Sequence, residues 1–136
     1  MSAFTLKELA SATHTVAQGN PEKQIIAVAS IEEATASDIS FIRDRKYAHY
    51  LDTSKAGVLI LTAELAEQYE GNCLISTNPY LTYAQIVTVL NPVTKPAAGV
   101  SPSAVVADDV TLGEGVHIGA NVVIASGCSI GDNTVI

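Results

Sequence analysis

The sequence predicts a small α/β unit followed by the first coils of a parallel β-helix. Two observations point there: helix and strand signals alternate up to about Pro96, and from Val100 the chain repeats itself every six residues. A third sets the frame, since 136 residues with 48% hydrophobic and 15% charged side chains and a mean hydropathy of +0.29 describe a globular chain able to bury a core. The two domains are expected at residues 1–97 and 98–136.

The formal charge of −7 argues against a nucleic-acid partner, because binding long nucleic acid depends on neutralising phosphates with Lys and Arg. A small anionic ligand needs only a local cluster of cations. Cys73 and Cys128 fit no metal-ligand spacing and are expected to be buried small hydrophobes in a reducing compartment, and no metal site is expected. The N-terminus carries no basic and apolar leader pattern, and the longest apolar stretch, Ala56 to Ala63, is too short to span a bilayer. With no transmembrane segment expected, the location is expected to be cytoplasmic.

The α/β elements follow in order. Thr5 and Glu8 form a capping box inside a hydrophobic staple of Phe4 on Leu9, which starts a short helix near Leu6. Apolar runs at Ile25–Ala29, Ile39–Ile42, Gly57–Leu61 and Cys73–Ser76 are of strand length. Helical stretches are expected between them at Asp44–Leu51 and Ala63–Tyr69. The clearest helix begins at Asn78-Pro79, where Asn78 caps and Pro79 takes the first helical position. Ile86, Val89 and Leu90 continue its apolar face until Asn91-Pro92 ends it.

Residues 41 to 47, FIRDRKY, concentrate five of the chain's fourteen Lys, Arg, Phe and Tyr in one heptapeptide at a strand-to-helix junction. Such junctions commonly present ligand-binding groups in α/β units. Aromatic faces can sandwich a base, and Arg43, Arg45 and Lys46 are suited to meeting phosphates. The plainer alternative keeps Phe41 in the core, packs Tyr47 on the helix and leaves the cations as a solvated face.

From Val100 the hexads read VSPSAV, VADDVT, LGEGVH, IGANVV, IASGCS and IGDNTV, with a final Ile136. The first column is aliphatic throughout and should point inward. The fifth, Ala104, Val110, Val116, Val122, Cys128 and Thr134, is small or β-branched and should point inward too. The fourth, Ser103, Asp109, Gly115, Asn121, Gly127 and Asn133, suits corners that require positive φ. The second column is Ser, Ala or Gly, small enough for close approach. Ile136 is an interior position with nothing stacked on it, so the 136 residues read as part of a longer chain.

Taken together, TLKELA, VASIEEA, DISFI, KY, NPYLTYA and the hexads opening SPSAVV and LGEGVHIGANVVI closely resemble the UDP-3-O-(3-hydroxyacyl)glucosamine N-acyltransferases of lipid A biosynthesis, from Thr5 to Ile136. The resemblance implies an α/β N-terminal uridine-binding domain followed by the first coils of a left-handed parallel β-helix. It implies transfer of a 3-hydroxyacyl group from acyl carrier protein, with its phosphopantetheine arm, to the 2-amine of the UDP-linked acylglucosamine. No further cofactor is implied, and the assembly implied is a homotrimer. The uracil would stack between Phe41 and Tyr47. Between those aromatics the family often carries Asn-Pro where this chain has Asp44-Arg45; an ionised Asp44 accepts but does not donate, and it is expected to cap the following helix.

The general base of that family is a histidine on a later coil, so no catalytic residue is expected within these 136 residues, which should not turn over alone. His14 reads as a strand or loop residue, His117 as an outward hexad position, and His49, two residues beyond Tyr47, as placed to help line the nucleotide site. Two further readings compete. A uridine-binding module like the N-terminal domain of the muramyl ligases is disfavoured by the lack of a G-x-x-x-x-G-K-[ST] loop. A purely structural trimerisation prism predicts no affinity for UDP.

Overall fold

A computed structural model describes residues 2–136. The chain forms two compact units, Met1–Pro92 and Val93–Ile136.

In the first unit, β1 (Phe4–Thr5) pairs antiparallel with β3 (Gln24–Ile25), and α1 (Leu6–Thr13) follows β1 directly. The capping box is present: the Thr5 hydroxyl oxygen accepts the Glu8 amide at 3.2 Å, and the Glu8 carboxylate accepts the Thr5 amide at 2.8 Å. The helix stops at His14, a loop residue whose φ of 53° is a left-handed cap.

A five-stranded sheet forms the centre of this unit. Its strands are β2 (Val16–Gln18), β4 (Ala27–Val28), β5 (Asp38–Phe41), β6 (Val58–Leu61) and β7 (Cys73–Ile75), in the order β2-β7-β6-β5-β4, all parallel except β2. Side chains alternate between two covered faces. On one, Ile39, Val58, Ile60 and Leu74 meet Leu6 and Leu9 of α1 and Ile86 of α4 (Pro79–Leu90). On the other, Leu59, Leu61 and Cys73 meet Ile42 and Leu65 and Ala66 of α3 (Ala63–Ala66). Burial on both faces explains why β6 reads as an uninterrupted apolar run. At the start of α4 the Asn78 side chain accepts the Leu81 amide at 3.2 Å and Pro79 occupies the first turn, as expected.

The structure departs from expectation in several places. The run Ile25–Ala29 is two strands, because Ile25 pairs with Phe4 and Ala27 with Asp38, partners in different sheets, and the bend between them turns Ile26 outward. The helix expected over Asp44–Leu51 is a 3-10 turn at Arg45–Tyr47 and one helical turn, α2 (Tyr50–Thr53). There the amides of Tyr47, Ala48 and Leu51 each reach back three residues, not four. Asp44 gives no side-chain cap; Arg43 holds its carboxylate instead. Helix α3 ends at Ala66, and the Gln68 and Tyr69 amides continue it only as three-residue turns. Strand β2, the antiparallel edge, was not expected from the sequence.

The second unit is a stack of two-residue strands: β8 (Gly99–Val100), β9 (Val105–Val106), β10 (Thr111–Leu112), β11 (His117–Ile118), β12 (Val123–Ile124) and β13 (Ser129–Ile130). Each of the first three pairs in parallel with the strand 18 residues further on, so three hexads make one coil. Val116, Ile118 and Ile124 are buried at the centre, with Ala104, Val106, Val110, Val122 and Ile130, also of the first and fifth columns, packed against them, but Val100 and Leu112 of the first column, expected to point inward, are exposed. Cys128 is exposed, contrary to expectation. It lies toward one end of the stack, where Val135 and Ile136 are also exposed.

The fourth column splits at its corners. Gly115, Asn121, Gly127 and Asn133 take φ between 59° and 83°. Ser103 and Asp109 turn without positive φ and are tied to the next coil: Ser103 Oγ accepts the Asn121 amide at 3.2 Å, and Asp109 Oδ2 accepts the Ser126 hydroxyl at 2.6 Å. The second column is tight where a coil crosses it. A Cβ on Gly113 would sit 2.5 Å from the Asp132 amide nitrogen. His117 is outward and half-buried, its Nδ1 2.7 Å from the Ala97 carbonyl oxygen.

Candidate functional site: an aromatic cavity

Strands β4 and β5 run side by side until the Ala29 amide bonds the Ile39 carbonyl at 3.1 Å. Beyond that point the chain after β4 turns away, and a cavity of about 450 Å³ opens at the carboxyl ends of the two strands. Crevices of this kind are where parallel α/β sheets usually take ligands. Ser30 and Ile31 form one wall, Phe41 and Arg43 follow β5 into it, and Tyr47 borders it from the 3-10 turn.

The remaining wall comes from α4. The cap at Asn78-Pro79 fixes the start of that helix, so Tyr80 and Tyr83, three apart, share one face and both line the cavity. The Phe41 ring meets Tyr83 at 4.7 Å between centroids, tilted 42°, and Tyr80 edge-on at 5.7 Å. Phe41 is thereby braced from behind, half in the core.

Of the seven residues picked out by sequence, Phe41, Arg43 and Tyr47 line the cavity; Asp44, Arg45, Lys46 and His49 lie outside its lining. Arg43 Nε donates to Asp44 Oδ2 at 3.2 Å, and Arg45 pairs with Glu64 of α3. Lys46 Nζ stands 4.8 Å over the Tyr47 ring, while His49 packs on Tyr50 at 4.2 Å. Sequence reasoning missed Tyr80, Tyr83 and Ser40, which also borders the cavity. The spacing Tyr80-x-x-Tyr83 after a capped helix start was the available signal for the tyrosines. Nothing local marked Ser40.

The titratable groups that depart from their ordinary values move away from reactivity. Burial pushes the Cys73 thiol and the Tyr69 hydroxyl up, and the hydrogen bond to Glu32, 2.6 Å long, pushes Tyr50 up. Among the described residues no group of three His, Cys, Asp or Glu is arranged to hold a metal ion. Among the described residues no helix is long and apolar enough to cross a membrane. What the cavity offers chemically is a set of flat, apolar walls with a polar rim, suited to a planar ring bearing hydrogen-bonding edges.

Two family profiles match separate segments of the chain. The sequence profile of the family described as UDP-3-O-(3-hydroxymyristoyl) glucosamine N-acyltransferase, LpxD, matches residues 22–89, and that of the bacterial transferase hexapeptide family, six repeats, matches residues 109–136. The UDP-3-O-acylglucosamine N-acyltransferase of Coxiella burnetii (strain RSA 493 / Nine Mile phase I) is 39% identical over 131 residues, covering 96% of this chain and 38% of that protein. Proteins of the same name from Pseudomonas entomophila (strain L48) and Pseudomonas putida (strain KT2440) are 40% and 41% identical, covering 91% and 78% of this chain and 35% and 30% of theirs. The matched segments thus span about a third of the length of these curated relatives.

Proposed function

The chain belongs to the UDP-3-O-acylglucosamine N-acyltransferase family, LpxD, and from that membership we propose that it is the nucleotide-holding part of an enzyme that N-acylates a UDP-linked acylglucosamine. The observation that carries this reading is the cavity flanked by Phe41 and Tyr47 inside the segment that matches the family. The uracil stacks in that slot, and Arg43, the one cation on the lining, faces the diphosphate. Stacking of a base on an aromatic ring typically contributes about 1–3 kcal/mol.

In the proposed reaction the sugar 2-amine attacks the thioester carbonyl of a 3-hydroxyacyl group carried by acyl carrier protein. A base takes the amine proton, a backbone amide steadies the oxyanion, and the phosphopantetheine thiol leaves. That base is assigned to a histidine on a later coil; His14, His49 and His117 do not line the aromatic cavity. On this reading the 136-residue chain binds UDP without turning over. Three hexads per coil, with positive φ at four corners, support a left-handed prism of the kind that trimerises around acyl-transfer sites. A cytoplasmic setting goes with the nucleotide-linked acceptor and the carrier-bound donor.

The test is a titration of UDP-N-acetylglucosamine followed by NMR. Resonances of Phe41 and Tyr47 should shift together and saturate, and absence of a shift at both would remove the uracil assignment. Fusing the chain to the downstream coils of a relative should give N-acylation that disappears when the later histidine is replaced.

A further inference from the structure

We infer that Ser40 supplies the hydrogen bond that reads the polar edge of the ring seated between Phe41 and Tyr47; this rests on the nucleotide reading of the cavity. Among the described residues four polar side chains are buried: Thr13, Ser40, Ser76 and Thr82. The Thr13 hydroxyl donates to the Leu9 carbonyl at 2.8 Å, and Ser76 and Thr82 share a hydrogen bond of 2.7 Å. The backbone of Ser40 is paired with β6, but its hydroxyl, on a residue only 1% exposed, makes no hydrogen bond to any other described residue. No fully enclosed side-chain nitrogen or oxygen among the described residues lacks a partner, so the accessible remnant of Ser40 is its hydroxyl, opening onto the cavity it lines.

A hydroxyl that opens only onto a cavity gains nothing for the fold, and Ser40 stands in a strand beside Leu59 of β6 and between Ile39 and Phe41, where an aliphatic residue would pack better. Local rules are broken in this way mainly at functional sites. The place is suited to a ligand, because β4 diverges after Ala29 and leaves β5 beyond Ile39 bordering open space. A serine hydroxyl both donates to a ring carbonyl and accepts from a ring N–H, which the ionised Asp44 cannot do. Asp44 is in any case held by Arg43 outside the lining.

The experiment compares the unaltered chain with Ser40→Ala, Ser40→Val and Phe41→Ala, measuring UDP affinity by calorimetry and the ligand-free thermal midpoint. Ser40→Ala should weaken UDP binding about three- to tenfold, the value of one ordinary hydrogen bond, with a midpoint that is unchanged or raised because no protein partner is lost. Ser40→Val should fold normally and bind UDP more weakly still. Unchanged UDP affinity in Ser40→Ala overturns the inference and makes the hydroxyl a water site only, and a lower midpoint with unchanged affinity makes its role structural. If Phe41→Ala binds UDP as well as the unaltered chain, the stacking reading fails, whatever Ser40 does. If the unaltered chain does not bind UDP, both fall.

Discussion

The Arg45 guanidinium is taken by Glu64 and the Lys46 ammonium by the Tyr47 ring, so two of the three cations that crowd residues 41 to 47 serve to hold the turn in place. Both interactions are exposed, and an exposed ion pair is worth about 0–1 kcal/mol. Arg45→Ala should therefore leave urea stability within about 0.5 kcal/mol, and a larger loss would mean that the pair organises the turn more strongly than its exposure implies. The aromatics separate differently. Tyr47 is 42% exposed and Phe41 packs into the core cluster, so Tyr47→Ala should weaken UDP binding about tenfold with little effect on stability, while Phe41→Ala should lower both. The two aromatics and Arg43 were legible because seven consecutive residues carried the signal. Tyr80, Tyr83 and Ser40 were not, because the cavity joins strand ends to a helix about forty residues further along the chain, and such a meeting exists only after folding.

At the level of elements, what could be read from sequence depended on whether one residue had one task. The capped helices α1 and α4 and the hexads qualify, since Thr5, Asn78 and each repeat column do a single local job. The stretch Ile25–Ala29 does not, because its apolar pattern is shared between two sheets, and Asp44–Leu51 does not, because Arg43 competes for the carboxylate that would have capped it. Within the coils, Asn121→Gly should be close to neutral, whereas Asn121→Ala keeps the Cβ at φ 60° but loses the short polar side chain that makes this region tolerable, and should cost about 1 kcal/mol. Gly113→Ala should be worse than its surface location suggests, since its Cβ meets backbone of the next coil rather than a flexible side chain. Hydrogen exchange at the Ile118 and Ile124 amides measures both effects, and unaltered protection in Gly113→Ala would show that the coils separate without cost.

For the molecule as a whole, the three groups with shifted titration among the described residues lie in the first unit, and all shift the same way. Burial holds the Cys73 thiol above its ordinary value of 9.0 and the Tyr69 hydroxyl above 10.0; Tyr50 is raised first by its bond to Glu32. The folded state keeps these protons to higher pH than the unfolded chain does. The unfolded state therefore binds fewer protons once the pH passes about 9, and stability falls as pH rises from there. The contribution is fully present below that point, so there is no matching loss on the acid side from these groups. The first unit should begin to lose stability near pH 9 and lose it faster beyond 10, while the coils, which contain none of the three, respond less. Thiol labelling follows the transition directly, because Cys128 is exposed and should react at once at pH 8, whereas Cys73 is buried and should react only as the first unit opens. Cys73→Ala should flatten the onset near pH 9 and leave the steeper part above 10 to Tyr69. An onset unchanged in that variant would assign the alkaline loss to the tyrosines alone.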